Sequence, residues 1–197
     1  MFGLYLKNTH KLRQLTLVFV LLALVFCGTA YPGSFSKEYD AYFRVYAGHY
    51  LADYSWLYLK AQGYQESLLD KDAVSHAGAQ GVMQIMPGTW EEQTERLGII
   101  ASPFNPRANI LVGASYMKRM VSFWKAPRPK IERLRLAQAS YNAGAGNILK
   151  AQRKCQNKSL WKDISPCLVQ VTGRHSEETI TYVGRIQRWY EELVAQQ

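Results

Sequence analysis

The chain has 197 residues, 48% of them hydrophobic and 13% aromatic, a composition that fits one domain with a packed core and excludes disordered and fibrous chains. A formal net charge of +9 and a pI near 9.5 admit nucleic acid, anionic lipid or an acidic polymer as partner. No basic reading helix, zinc-finger spacing or aromatic RNA-binding signature is present, which disfavours nucleic acid.

Lys7, Lys11 and Arg13 form a basic start, Leu15 to Cys27 is an apolar run, and Gly28-Thr29-Ala30 supplies small residues at cleavage spacing. Residues 1–30 therefore read as a secretory signal peptide. An uncleaved anchor is the alternative, although the run falls short of the roughly 20 apolar residues that span a bilayer. Phe26 before Cys27 disfavours lipidation of that cysteine. Cleavage would remove three basic and no acidic residues, so a net charge of +9 becomes +6. Residues 31–197 form the expected single domain, and any membrane contact is expected only through the N-terminal segment. An oxidising compartment favours pairing of Cys155 with Cys167 across a short loop, at about 3 kcal/mol on the chain-entropy model.

A flexible start from Tyr31 to about Tyr39 precedes a helical stretch from Tyr42 to Gln65, with Val45, Leu51, Tyr54, Leu57, Tyr58 and Ala61 near one face. Glu66 to Gly88 is rich in glycine and small residues and lacks sustained periodicity, so it reads as a structured loop. Thr89 with Glu92 forms an expected capping box, with Trp90 to Leu97 helical and Gly98 as the stop. Asn105-Pro106 caps a helix with Ile110, Ala114, Met117, Val121 and Trp124 on one side. Pro127 and Pro129 interrupt, Ile131 to Tyr141 resumes, and Gly144 and Gly146 punctuate before a helix from Asn147 to Arg153. The last helix is expected from about Glu177 to Val194, with Ser176 as cap and Ile180, Val183, Ile186, Tyr190 and Leu193 inward. The fold class is mainly α, with little or no β-structure.

The chemistry concentrates in Gln65-Glu66-Ser67 and in the run from Ala73 to Pro87, which contains Ser75, Met83 and Gln84. Asn109 through Gly113 with Tyr116, Tyr141-Asn142-Ala143-Gly144, and Glu178-Thr179 with Tyr182-Val183 follow in order. Together these blocks, over about residues 50 to 192, resemble the catalytic domain of soluble lytic transglycosylases, relatives of goose-type lysozyme. The resemblance implies a lysozyme-like helical domain with a substrate cleft, acting on peptidoglycan glycan strands without cofactor or metal. It implies cleavage of the β-1,4 bond from N-acetylmuramic acid (MurNAc) to N-acetylglucosamine (GlcNAc), leaving 1,6-anhydro ends.

Cleaving a glycosidic bond needs a carboxylic acid still protonated near neutral pH. Glu66, ending an apolar helix beside an Ala/Gly/Met-rich loop, is placed where desolvation raises a carboxyl pKa. Most glycosidases carry a second carboxylate; here Asp70 and Asp72 are close in sequence only. The resemblance implies that Glu66 serves twice, protonating the leaving oxygen and then deprotonating the MurNAc C6 hydroxyl that attacks C1. By the same resemblance Ser75 bonds near the reacting centre and Met83 and Gln84 line the cleft. Tyr141 and Asn142 occupy a turn facing the glutamate, and Tyr182 offers it a phenol. Ser67 reads as a residue fixing the helix end. A lysozyme-type hydrolase using the same Glu66, and an inactive peptidoglycan-binding part of a secretion, conjugation or phage-entry machine, are the alternative readings. The segment from Cys155 to Gly173 departs from the family pattern, which leaves exo or endo preference open.

Overall fold

Ser55 divides the first expected helix in two, because its hydroxyl accepts a hydrogen bond from the Leu57 N–H at 3.3 Å and starts a new helix. The computed structural model describes residues 34–197, and the expected signal peptide or anchor at residues 1–30, Cys27 included, lies outside the described residues. Helix α1 spans Asp40–Tyr50 and α2 spans Trp56–Ser67. The two halves bury different faces: Phe43 and Ala47 in α1, Leu57, Leu59, Ala61 and Tyr64 in α2. Val45, expected on the inner face of one continuous helix, is consequently 64% exposed. Buried Lys60 ties α1 to α2 through Asp40 at 2.5 Å and the Ser36 carbonyl at 2.7 Å.

Helix α3 spans Pro87–Leu97 and ends at Gly98, which adopts φ +64° as a left-handed cap. The capping box expected at Thr89 does not form, because Pro87, with φ preset for the first helical position, starts the helix earlier and leaves Thr89 inside its first turn. Helix α4, Pro106–Phe123, starts as the sequence predicts, with the Asn105 side chain accepting from the Ala108 N–H at 3.1 Å. Helices α5 (Lys130–Ala143) and α6 (Ala145–Lys154) meet at Gly144, where φ +82° turns the chain.

The unfamiliar segment after α6 folds into two short helices, α7 (Trp161–Ile164) and α8 (Val169–Thr172), around a disulfide from Cys155 to Cys167. Helix α9, Ser176–Ala195, follows a 3-10 turn at Gly173–His175 that already has helical backbone leading into it. Ser176 is therefore the first helical residue and buried, not a side-chain cap. On α9, Val183, Ile186 and Leu193 are buried as expected and Tyr190 is half-buried; Thr179 and Tyr182 join the inward stripe, whereas Ile180 is 38% exposed.

Helix α9 packs along α2, α1 and α5 flank α4, and Phe43, Leu59, Met83, Ile110, Leu134 and Ile186 are among the large side chains filling the space between them. Among the described residues the only β-pairing is two isolated bridges, Val74 with Gln80 and Gln80 with Ile85. No described helix is long and apolar enough to cross a membrane.

The loop between α2 and α3 is held by Asn109 of α4, which is fully buried. Its carbonyl oxygen accepts from the Met83 N–H at 2.7 Å, and its amide donates to the carbonyls of Gln80 at 3.0 Å and Pro103 at 2.8 Å. Gly81, at φ +73°, permits this approach, since a Cβ there would stand 2.6 Å from the Asn109 amide nitrogen and 2.5 Å from the Pro103 oxygen. Asn109→Ala leaves the buried Met83 N–H without its acceptor, at about 1–3 kcal/mol, and takes a donor from the half-buried carbonyls of Pro103 and Gln80, of which Gln80 keeps the Ile85 N–H. We expect the variant to lose about 3 kcal/mol or more, read as a fall in Tm of at least roughly 6 °C by calorimetry.

Candidate active site

Glu66 stands on the last turn of α2, where the chain leaves the helix through two consecutive left-handed residues, Leu68 (φ 55°) and Leu69 (φ 67°). Such conformations cost about 1–2 kcal/mol each for a residue with a side chain, and two local contacts sustain them. The Leu69 side chain is buried against Gly63, where an added Cβ would meet it at 2.9 Å. The Ser67 hydroxyl donates to the Val82 carbonyl at 2.9 Å, tying the helix end to the next loop.

The Glu66 carboxyl opens on a cavity of about 710 Å³, a volume in the range of small-ligand clefts. Tyr182 reaches it from α9, its hydroxyl donating to Glu66 Oε1 at 2.5 Å. Burial pushes the Glu66 carboxyl up to about 8, against the opposing influence of the Tyr182 hydroxyl and the nearby Gln62 amide, both of which favour the ion. Desolvation wins because removing water from a carboxylate costs more than two neutral donors return. Burial, and then the Glu66 charge, raise Tyr182 and Tyr141 well above the usual phenol range, so both remain O–H donors at any physiological pH. The groups bearing on the carboxyl are therefore neutral.

The cavity brings together Glu66, Ser75, Gln84, Tyr141, Asn142 and Tyr182. Ser75 opens a tight turn, its N–H donating to the Ala79 carbonyl at 2.9 Å and its hydroxyl accepting from the Ala79 N–H at 3.0 Å. Gln84, at φ 45°, donates its amide to the carbonyls of Ala73 and Gly81, so it braces the loop while facing the cavity. Tyr141 and Asn142 lie on the last turn of α5 rather than in a turn, and each is engaged. The Tyr141 hydroxyl donates to the Met83 carbonyl at 2.8 Å, and the Asn142 oxygen accepts from Thr179 at 2.7 Å.

Met83 does not join them. Its side chain is fully buried between helices, since a Cβ on Gly113 would stand 2.7 Å from Met83 Cγ and one on Gly63 would stand 3.4 Å from its Sδ. A side chain wedged between two glycines cannot touch a sugar, so the expected lining role is corrected to a packing role. Met86, which precedes the helix-starting Pro87, lines the cavity instead. Arg174, Glu177, Glu178, Thr181 and Arg185 also line it. Glu178 belongs to a block that the sequence singled out, whereas nothing in the spacing of the other four separated them from ordinary solvated surface. Among the described residues, no three His, Cys, Asp or Glu side chains gather as metal ligands.

Because the folded carboxyl titrates near 8 and the unfolded one near 4.5, the folded state holds a proton that the unfolded state has lost across that window. Stability contributed by this group thus falls as pH rises from the lower value to the upper. Glu66→Gln should melt at least about 3 °C above the parent near pH 9 and within about 1 °C of it near pH 4, by scanning calorimetry at both pH values.

The same arrangement of helices occurs in known structures. An inactive mutant of the lytic transglycosylase Slt from Pseudomonas aeruginosa superposes with a TM-score of 0.64 at 28% identity, covering 83% of this chain and 25% of that one. The 70 kDa soluble lytic transglycosylase from Escherichia coli superposes with a TM-score of 0.65 at 23% identity, covering 81% and 25%. Among curated proteins, the membrane-bound lytic murein transglycosylase F of Shewanella halifaxensis is 30% identical over 172 residues, 80% of this chain and 34% of that protein. The counterpart from Idiomarina loihiensis is 34% identical over 153 residues, 70% and 32%. The chain thus spans about a third of the length of these relatives. Residues 42–164, more than half of the sequence, match the transglycosylase SLT domain, and the chain belongs to that family.

Proposed function

We propose that residues 31–197 form a peptidoglycan lytic transglycosylase domain that cleaves the MurNAc-β-1,4-GlcNAc bond non-hydrolytically. The observation that carries this reading is a carboxyl held protonated near neutral pH at the wall of a cavity large enough for sugar units. Similarity to the lytic murein transglycosylases supports the substrate class.

In the reaction, the Glu66 proton passes to the glycosidic oxygen as the bond from that oxygen to MurNAc C1 breaks. The resulting carboxylate takes the proton of the MurNAc C6 hydroxyl while O6 bonds to C1. Glu66 ends protonated, no water is consumed, and the new end is a 1,6-anhydro sugar. Charge at C1 is stabilised by the substrate's own N-acetyl group, which fits surroundings in which the groups bearing on Glu66 are neutral phenols and an amide. Tyr182 steadies the carboxylate formed midway, since its hydroxyl already donates to Oε1. Ser75, Gln84 and Asn142 are the proposed sugar contacts, and Tyr141 acts by holding the Met83 carbonyl, and with it the loop, in place.

The N-terminal segment is proposed to direct the chain across the inner membrane, cleaved as a signal peptide or kept as an anchor, so that the domain works at the periplasmic face of the envelope. The names of the membrane-bound relatives support an envelope location. The wider partner proposed is an envelope-spanning secretion, conjugation or phage-entry apparatus.

Glu66→Gln keeps shape and removes the acid. Release of soluble muropeptides from purified sacculi should fall at least about 100-fold in that variant, the scale of general acid catalysis. Turnover at the parental rate would withdraw the assignment.

A further inference from the structure

Gln62 sits one helical turn before Glu66 on α2 and is 1% exposed. Its side-chain amide lies within reach of both the Glu66 carboxyl and the Tyr182 hydroxyl. Yet the amide nitrogen, Nε2, makes no hydrogen bond of ordinary geometry. A buried N–H without an acceptor destabilises a fold, and such groups are uncommon in native proteins. An apolar residue of similar volume would remove that cost, so the amide calls for an explanation.

The other orphaned amide nitrogens among the described residues are of a different kind. Gln93 has its carbonyl oxygen engaged by Arg96 and Ser115, which leaves its nitrogen as the remainder of a satisfied group. Gln138, on α5, is not among the groups that bear on the Glu66 carboxyl. Gln62 alone stands against the carboxyl that has to change its charge in every turnover.

We propose that Gln62 is a positioning residue: its amide N–H is kept in reserve and is taken up by the Glu66 carboxylate in the half of the reaction in which that group has given away its proton. Tyr182 supplies one donor in both states, and Gln62 supplies the second only to the ion. While Glu66 is protonated the reserve costs stability; once Glu66 is ionised the bond forms, and the difference favours proton donation to the sugar oxygen. This is stabilisation realised after the reaction has begun and absent from the ground state, the kind that raises turnover rather than affinity. The inference rests on the proposed double role of Glu66.

The titratable groups facing the carboxyl are Tyr182 from α9 and Tyr141 from α5, both held protonated. Arg174, Glu177, Glu178 and Arg185 line the same cavity and are exposed to solvent. None of these four is among the groups that shift Glu66.

The test needs no substrate. In the 197-residue chain, kept in mild detergent, the side-chain amide protons of Gln62 are followed by NMR from about pH 6 to about pH 10. Formation of the reserved bond should move the Nε2 proton resonance downfield with a midpoint near 8, and Glu66→Gln should abolish that movement. In Gln62→Met, the Glu66 carboxyl carbon should titrate at least about half a pH unit higher than in the parent, because a donor to the charged form has been removed. With sacculi, the same variant should lose about tenfold in kcat with KM within about twofold. A Gln62 resonance indifferent to Glu66 ionisation overturns the proposal, and the parent chain alone suffices to see it, so the folding of Gln62→Met is not at issue. A parent chain that titrates as described but releases no muropeptides would defeat the functional reading and leave the amide–carboxylate contact standing.

Discussion

The structure turns on keeping one carboxyl out of water while leaving it open to a cleft. A carboxylic acid in water gives up its proton far below neutral pH; at Glu66 burial reverses that preference. The helix pair α2 and α9 makes this possible, because its close packing brings Tyr182 to Oε1. A cationic neighbour would undo the arrangement, since an opposite charge within a few ångströms stabilises the carboxylate and lowers its pKa. Neutral donors offer direction without that penalty, and the polar groups that bear on Glu66 are a phenol and an amide.

The opposite wall depends on a second constraint, that a loop without regular structure must still hold its backbone fixed. Its carbonyls and N–H groups need partners when buried. Asn109, Ser67, Gln84 and Tyr141 provide them from side chains. Met83 is the pivot of this system, with its side chain between Gly63 and Gly113 and its backbone bonded at the N–H by Asn109 and at the carbonyl by Tyr141. Two helices, α4 and α5, therefore set the height of the loop against α2, and with it the distance between Ser75, Gln84 and Glu66. The disulfide-linked segment after α6 is tied to α5, where the Glu132 carboxylate accepts from the Trp161 N–H at 2.6 Å. Through the turn it feeds into α9, it places Arg174 and Glu177 at the same cavity.

Much of this was legible in the amino-acid sequence where a local rule governs the outcome. Asn105-Pro106 starts α4, Gly98 ends α3 and Gly144 separates α5 from α6, because cap and turn chemistry involve only neighbouring residues. Local rules failed where two of them competed. Thr89 and Pro87 both signal a helix start, and proline acts first; the tyrosine-rich stretch from Tyr42 reads as one helix until Ser55 is allowed its cap. The site residues were found through the order of their blocks, and Glu66, Ser75, Gln84, Tyr141, Asn142 and Tyr182 do converge. Met83 did not follow, because sequence proximity to Gln84 says nothing about which of two adjacent side chains enters the core. Gln62 was missed for a related reason: a glutamine on a helix passes as a solvated residue until its burial is seen.

The most direct measurement is the mass of the sugar ends released from purified peptidoglycan by the parent chain. An acid that donates and later recovers its proton, with the substrate's own hydroxyl as nucleophile, predicts muropeptides ending in 1,6-anhydro-MurNAc, one water lighter than the hydrolysed form. Products carrying free reducing MurNAc ends would mean that water is the nucleophile, and would contradict the double role of Glu66.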